Sequence, residues 1–240
     1  MRPSRRSDPN PRPQARPVYE TTKRVVDVAC ASAALVLLSP VVLAVAVAVA
    51  VRLGRPVLFR QTRPGLHGEP FTLVKFRTMR DVDPAAGLVT DAERLTPFGR
   101  LLRSTSLDEL PSLVGVLTGR LSLVGPRPLL MRYLPLYDSE QSRRHDVRPG
   151  LTGLAQVSGR NGLDWDERLR LDVDYVDRRG PLLDLRIALR TIGCVLRRTG
   201  VTDAGGVTCR PFDGSSTSAE TAGRPGARVG VDALADGVAA

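Results

Sequence analysis

The stretch Thr105-Ser106-Leu107-Asp108-Glu109-Leu110-Pro111 sets two adjacent acids behind three hydroxyl residues, Ser104 to Ser106, and just ahead of a proline. It reads as a helix entrance. Ser106 followed three residues later by Glu109 has the form of a capping box, in which each side chain satisfies a backbone N–H that the first turn leaves free. Alternatively Asp108 is the N-cap, which puts Pro111 in the first turn, where its missing N–H matters least. Either way two carboxylates stand at a helix N-terminus, where free N–H groups and the dipole attract phosphate. Carboxylates are useful there when a cation bridges them to a phosphate, and Mg²⁺ held by one or two carboxylates plus a diphosphate is the usual solution. An Asp also attacks phosphorus itself, giving an acyl phosphate. Plain capping is the competing reading.

Outward from this stretch, 240 residues allow one domain with tails. Residues 1–19 read as a disordered basic tail, residues 1–18 holding five prolines and five arginines, and 203–240, rich in Gly, Ala, Ser, Thr and Asp, as a disordered C-terminal tail. Between them lie an apolar membrane segment within 20–55 and a catalytic domain over 56–202. Net charge is +5 over 1–24, −1 over 25–51, +8 over 52–202 and −2 over 203–240, so basic groups flank and follow the apolar stretch. Ten aromatic residues and no helix-turn-helix, zinc-finger or RNA-recognition signature argue against nucleic acid as the partner. Anionic membrane lipids suit this charge better. Cys30, Cys194 and Cys209 are dispersed and odd in number, which excludes a disulfide framework, and with only His67 and His145 there is no zinc set. Both histidines read as surface residues.

Val28 to Val51 is a run of 24 uncharged residues. As a straight helix it would be about 36 Å long, enough to cross a hydrocarbon core of roughly 30 Å. Ser39-Pro40 falls at its middle, where proline kinks or breaks a helix. Lys23 and Arg24 precede it, and Arg52, Arg55, Arg60 and Arg63 follow. Basic flanks stay on the cytoplasmic side, so a helix that enters, breaks and returns competes evenly with one that spans.

Pro56 to Gln61 and Phe71 to Arg77, joined through Gly65 to Gly68, predict a small hairpin, with Lys75 and Arg77 on one strand face. Asp81-Val82-Asp83 is either a metal-binding pair or a turn closed by Pro84, and 84–97 reads as a polar loop. The helix begun near Asp108 should stop at Gly119. Arg127 lies between Pro126 and Pro128, which restrict where its fork points and suit it to phosphate. Glycines at 150, 153, 159 and 162 match no nucleotide fingerprint and indicate a close-packed loop. Trp165, Leu169, Val173 and Val176 mark a helix with an acidic opposite face. Pro181 opens another, with Leu182, Leu185, Leu189, Ile192 and Leu196 apolar and Arg186, Arg190, Arg197 and Arg198 basic. That helix suits a membrane surface and core packing equally.

Together these stretches resemble the bacterial sugar transferase family, the monotopic phosphoglycosyl transferases of the small, catalytic-domain-only type. The resemblance covers about Lys23 to Gly200. It rests on Lys23-Arg24-Val25-Val26-Asp27, Ser39-Pro40, Phe59-Arg60-Gln61, Lys75-Phe76-Arg77-Thr78-Met79, Thr105 to Pro111, Ser122 to Pro128, Arg148-Pro149-Gly150 and Gln156 to Asn161. It implies an α+β protein with a re-entrant membrane helix broken at Ser39-Pro40, a small hairpin, and amphipathic helices at the interface. The implied reaction moves a sugar-1-phosphate from a UDP-sugar to undecaprenyl phosphate and releases UMP. Asp108 falls at the family's nucleophile, Glu109 would assist, both acids would share Mg²⁺ with the diphosphate, and Lys75, Arg103, Arg127 and Arg160 would surround them. The implied place is the cytoplasmic face of the inner membrane, and a homo-oligomer is compatible with it. Leu154, Ser158, Gly115 and Arg120 depart from frequent family residues. Two other readings compete: a membrane-associated glycosyltransferase using Asp81 and Asp83, and a non-catalytic basic membrane scaffold.

Overall fold

The structure, a computed structural model, describes residues 16–159, 163–197 and 211–214. Two helices open it, α1 (Pro17–Leu37) and α2 (Ser39–Leu53), bent by 63° at the Leu38 joint. The bend follows from Pro40, which sits in the first turn of α2, where the absent N–H is not needed. Ser39 closes the joint by donating from Oγ to the Val36 carbonyl at 2.8 Å. Leu37, Val36 and Leu43 around the bend are 77%, 73% and 66% exposed.

The hairpin is formed by β1 (Leu58–Pro64) and β2 (Pro70–Phe76), antiparallel with Thr62 opposite Thr72. Alternation buries Phe71 and Leu73 against Ala31 of α1 and against Leu113 and Val116, in a core shared with Leu121. Phe76 faces a second cluster with Val45 and Val49 of α2 and Leu102. Arg77 lies beyond the strand rather than sharing a face with Lys75: it pairs with Asp81 at 3.0 Å and also donates to the Leu53 carbonyl. Asp83 accepts from the Ala86 N–H at 3.2 Å, so the Asp-x-Asp stretch is a turn. Residues 84–97 are more regular than an open loop. A capping box of Thr90 and Glu93 starts α3 (Asp91–Arg94), and Thr96 caps α4 (Pro97–Ser104).

The helical region after the acids ends as expected, with Gly119 at φ +78 closing α5 (Leu113–Leu117). Then β3 (Ser122–Val124) pairs in parallel with β4 (Gly150–Thr152). The intervening chain carries a 3₁₀ segment, Met131–Leu136, and the short α6 (Ser139–Ser142). The glycine-rich loop is a close contact: a Cβ on Gly150 would stand 2.1 Å from the Gly125 nitrogen and 2.4 Å from the Thr152 oxygen. Gly150→Ala is therefore expected to cost at least about 3 kcal/mol, measured as a lowered thermal midpoint in detergent, because backbone rather than a flexible side chain blocks the methyl.

Next come α7 (Leu154–Ser158), α8 (Trp165–Arg178), capped by Asp164, and α9 (Pro181–Arg197). Tyr175 and Val176 of α8 pack on Ile187 of α9 and Val124 of β3. Three expectations are corrected here. His145 is buried, not on the surface, with Nδ1 3.3 Å from the Gly65 carbonyl. The acids of α8, expected on the face opposite its apolar residues, do not all lie there, since Asp172 is buried at 3% exposure. Phe212, placed in a disordered tail, packs among Tyr133, Tyr137 and Trp165 with ring centroids 5.3–5.7 Å away.

Candidate active site

The acids do not begin an α-helix. Leu107–Ser112 is 3₁₀, preceded by Ser106 in the left-handed region at φ 57, and no side chain caps it. Pro111 supplies the reason. In an α-helix its missing N–H would break the bond to the Leu107 carbonyl and its ring would crowd that oxygen, so α geometry begins only at Leu113. Thr105 and Ser104 instead donate their hydroxyls to the Leu101 carbonyl at 2.8 and 2.9 Å, finishing α4. Both cap assignments for Ser106 and Asp108 are thereby overturned. Glu109 is left free to pair elsewhere.

Ser112, 1% exposed, fastens this 3₁₀ segment to the hairpin by donating from Oγ to the Val74 carbonyl at 2.7 Å. The neighbouring residue of β2 is Lys75, on the same face as Phe71 and Leu73, so it points inward. Its Nζ lies 2.6 Å from Glu109 Oε1, and Arg127 Nη2 donates to the same oxygen at 3.1 Å. Arg127 is aimed not by its prolines alone. Arg144, 2% exposed, donates from Nη2 to the Arg127 carbonyl at 2.7 Å and to Asp172 at 2.7 Å. Sequence reading missed this support. The signal was present: Asp172 occupies the apolar stripe Leu169, Val173, Val176 at helical spacing, where a carboxylate must be paired.

Arg103, at the end of α4, donates from Nε to Thr78 Oγ1 at 3.1 Å and acts electrostatically on Asp108. Asp108 is 8% exposed, and its carboxylate accepts no hydrogen bond among the described residues. Arg160 lies outside the described residues, so its part in the site is not placed. Burial, then the neighbouring Glu109 charge, push the Asp108 carboxyl up to about 6, against the pull of Lys75, Arg103 and Arg127. For Glu109 burial opposes ionisation, but Lys75 and Arg127 prevail and hold it down at about 2. Burial draws Lys75 down, with Glu109 opposing. Two adjacent carboxylates thus divide: Glu109 is held ionised by two cations, while Asp108 is the more basic of the two and accepts no hydrogen bond among the described residues. His67, exposed, and Cys30, exposed on α1, stand apart from this cluster.

Two acids on one helical turn, with Lys75 of β2, Arg103 of α4 and Arg127 of the segment after β3 around them, form a site suited to a phosphate-bearing substrate. The chain belongs to the bacterial sugar transferase family, whose model matches residues 18–198. Among its relatives is the uncharacterized sugar transferase EpsL of Bacillus subtilis, 50% identical over 194 residues, which span 80% of this chain and 96% of that protein. The UDP-glucose:undecaprenyl-phosphate glucose-1-phosphate transferase of Caulobacter vibrioides is 42% identical over 195 residues, covering 77% of this chain and 73% of its own length. The exopolysaccharide production protein ExoY of Rhizobium meliloti is 37% identical over 203 residues, covering 77% of this chain and 90% of its own length.

Proposed function

We propose that the protein is a phosphoglycosyl transferase that moves a sugar-1-phosphate from a UDP-sugar to undecaprenyl phosphate, releasing UMP, at the start of exopolysaccharide or related glycoconjugate synthesis. The observation that carries this reading is the acid pair, with Asp108 buried and Glu109 held by Lys75 and Arg127, in a family whose named relatives include UDP-glucose:undecaprenyl-phosphate glucose-1-phosphate transferases. In the first step an Asp108 carboxylate oxygen attacks the sugar-bearing phosphorus of the diphosphate. The bond to the bridging oxygen breaks, and UMP leaves with the electron pair. In the second, an oxygen of the polyprenyl phosphate attacks the same phosphorus and Asp108 departs as carboxylate. Lys75, Arg103 and Arg127 hold charge that develops on the non-bridging oxygens, and Arg160 is assigned with them from the family resemblance.

Asp108 and Glu109 offer hard oxygen donors, and no group of three or more His, Cys, Asp or Glu side chains suited to a metal occurs among the described residues. That set fits Mg²⁺ completing its coordination with substrate phosphates, where it would neutralise diphosphate charge. Geometry disfavours the Asp81–Asp83 glycosyltransferase, since Asp81 pairs with Arg77 and Asp83 serves a turn. Membrane fractions given undecaprenyl phosphate, Mg²⁺ and a panel of UDP-sugars are expected to release UMP with one donor. Release of UDP would support the Asp81–Asp83 reading, and no nucleotide product from any donor the scaffold.

The same reading places the protein in the inner membrane with its site on the cytoplasmic face. No single helix among the described residues is long and apolar enough to cross a membrane, whereas the bent pair α1–α2 passes that test together. Leu182, Leu185, Leu189 and Ile192 form an exposed apolar stripe on α9, 56–69% exposed, with Arg186 and Arg190 beside it, which suits an interfacial helix. Single cysteines, Thr21→Cys and Thr62→Cys, in a chain lacking Cys30, Cys194 and Cys209 are expected to react only from the cytoplasmic side. Labelling of either from outside would reject the re-entrant topology.

A further inference from the structure

Two of the family-like motifs, Lys23-Arg24-Val25-Val26-Asp27 and Arg148-Pro149-Gly150, take no part in the acid cluster. Their arginines meet instead at the opposite end of the segment that carries it. The 3₁₀ turns of Leu107–Ser112 run directly into α5, so Leu107 to Leu117 is one helical rod. By its residue count the rod is about 15–20 Å long. At its far end Arg24 donates from Nη1 to the Val116 carbonyl at 2.5 Å and from Nη2 to the Leu117 carbonyl at 2.9 Å. Arg148 donates from Nε to the Gly119 carbonyl at 2.9 Å. Terminal carbonyls of a helix need partners from outside it, and they carry the negative end of its dipole, so two guanidinium groups are well matched to them.

Arg24 belongs to α1, and α1 is itself firmly placed. Lys23 Nζ lies 2.8 Å from Asp184 of α9, and Asp27 accepts from Ser122 Oγ at 2.7 Å and from the Leu123 N–H at 3.3 Å. The rod is therefore gripped at two points. Ser112 ties its acidic half to the hairpin, and Arg24 ties its carbonyl end to the helix that continues into the Ser39-Pro40 bend.

We propose that Arg24 is a positioning residue which fixes the placement of Asp108 and Glu109 through this rod, and so couples the seating of the bent α1–α2 pair to catalytic competence. A displacement of about 1 Å at a reacting group can lower a rate by about 10². The inference rests on Asp108 being the reacting group, but its first readout does not.

The test uses the full-length protein in vesicles of phosphatidylethanolamine and phosphatidylglycerol, as wild type, Arg24→Met and Arg24→Lys. In Arg24→Met the amides of 107–117 are expected to exchange with deuterium at least tenfold faster, with those of 165–178 unchanged and membrane recovery equal. UMP release should fall at least tenfold in kcat, with KM for the UDP-sugar within threefold of wild type. Arg24→Lys, which can reach one carbonyl, should restore part of both. Unchanged exchange over 107–117 would overturn the proposal. So would acceleration throughout the domain in both variants, which would mark a general folding role, and so would faster exchange with kcat unaltered. If wild type itself releases no UMP, the functional reading fails, and the exchange pattern alone then decides whether the arginine clamps the rod.

Discussion

Asp108→Asn is expected to reduce UMP release by at least about 10³-fold while making the protein more stable, not less. On the proposed mechanism the loss follows from removing the carboxylate oxygen that attacks phosphorus, since an amide cannot take its place in a covalent route. The gain follows from linkage. The Asp108 carboxyl is pushed up to about 6 in the folded chain, above the ordinary carboxylate value of 3.8. Ionising it therefore disfavours the folded state; the penalty is complete above pH 6 and vanishes as pH falls through 6 toward 4. An amide carries no such penalty, so at pH 8 the variant should gain about 1–3 kcal/mol, several degrees in thermal midpoint. A capping aspartate would behave oppositely, losing about 1 kcal/mol on substitution. The same value predicts that kcat/KM of the wild type falls as pH drops below about 6, as the nucleophile takes up its proton. A flat profile from pH 5 to 8, or a variant with appreciable turnover, would remove Asp108 from the nucleophile's role.

Lys75→Met should lower kcat by about 10²–10³-fold and move the acidic limb of the pH profile upward. Lys75 is the nearer partner of Glu109, at 2.6 Å, and it also helps hold the Asp108 carboxyl down. Without it Glu109 retains only Arg127, both acids become harder to ionise, and a proton is shared across the pair at higher pH. In the proposed reaction, loss of a positive charge near the transferring phosphoryl group adds to the effect. Stability should fall by about 1–3 kcal/mol, because a partly buried carboxylate loses one of its two partners. The Glu109 contribution has the opposite pH sense to that of Asp108. It is present above the ordinary glutamate value of 4.5 and is lost as pH falls toward about 2. If Lys75→Met kept the wild-type pH profile, Lys75 would be acting on packing alone.

What local chemistry dictates was legible in the chain. The alternation of Phe71 and Leu73, with turn residues at Gly65 and Gly68, defines the hairpin. Ser39-Pro40 marks the helix break, Gly119 ends α5, and the 3.6-residue spacing from Trp165 and after Pro181 marks the last two helices. The acid pair could be singled out for the same reason, since its setting is short and contiguous.

The partners of those acids were decided by tertiary structure. Ser106-x-x-Glu109 satisfies the pattern of a capping box, yet Pro111 forces a 3₁₀ turn, α4 claims the preceding hydroxyls, and Glu109 turns to Lys75, 34 residues away, and Arg127, 18 residues away. Arg24 reaches Val116 across 92 positions, and Arg144 reaches Asp172 across 28. Sequence order supplies the charge and stem length of each such group. Which donor meets which acceptor depends on where packed helices bring them, because a buried charge or carbonyl takes whatever complementary group the finished core places within reach.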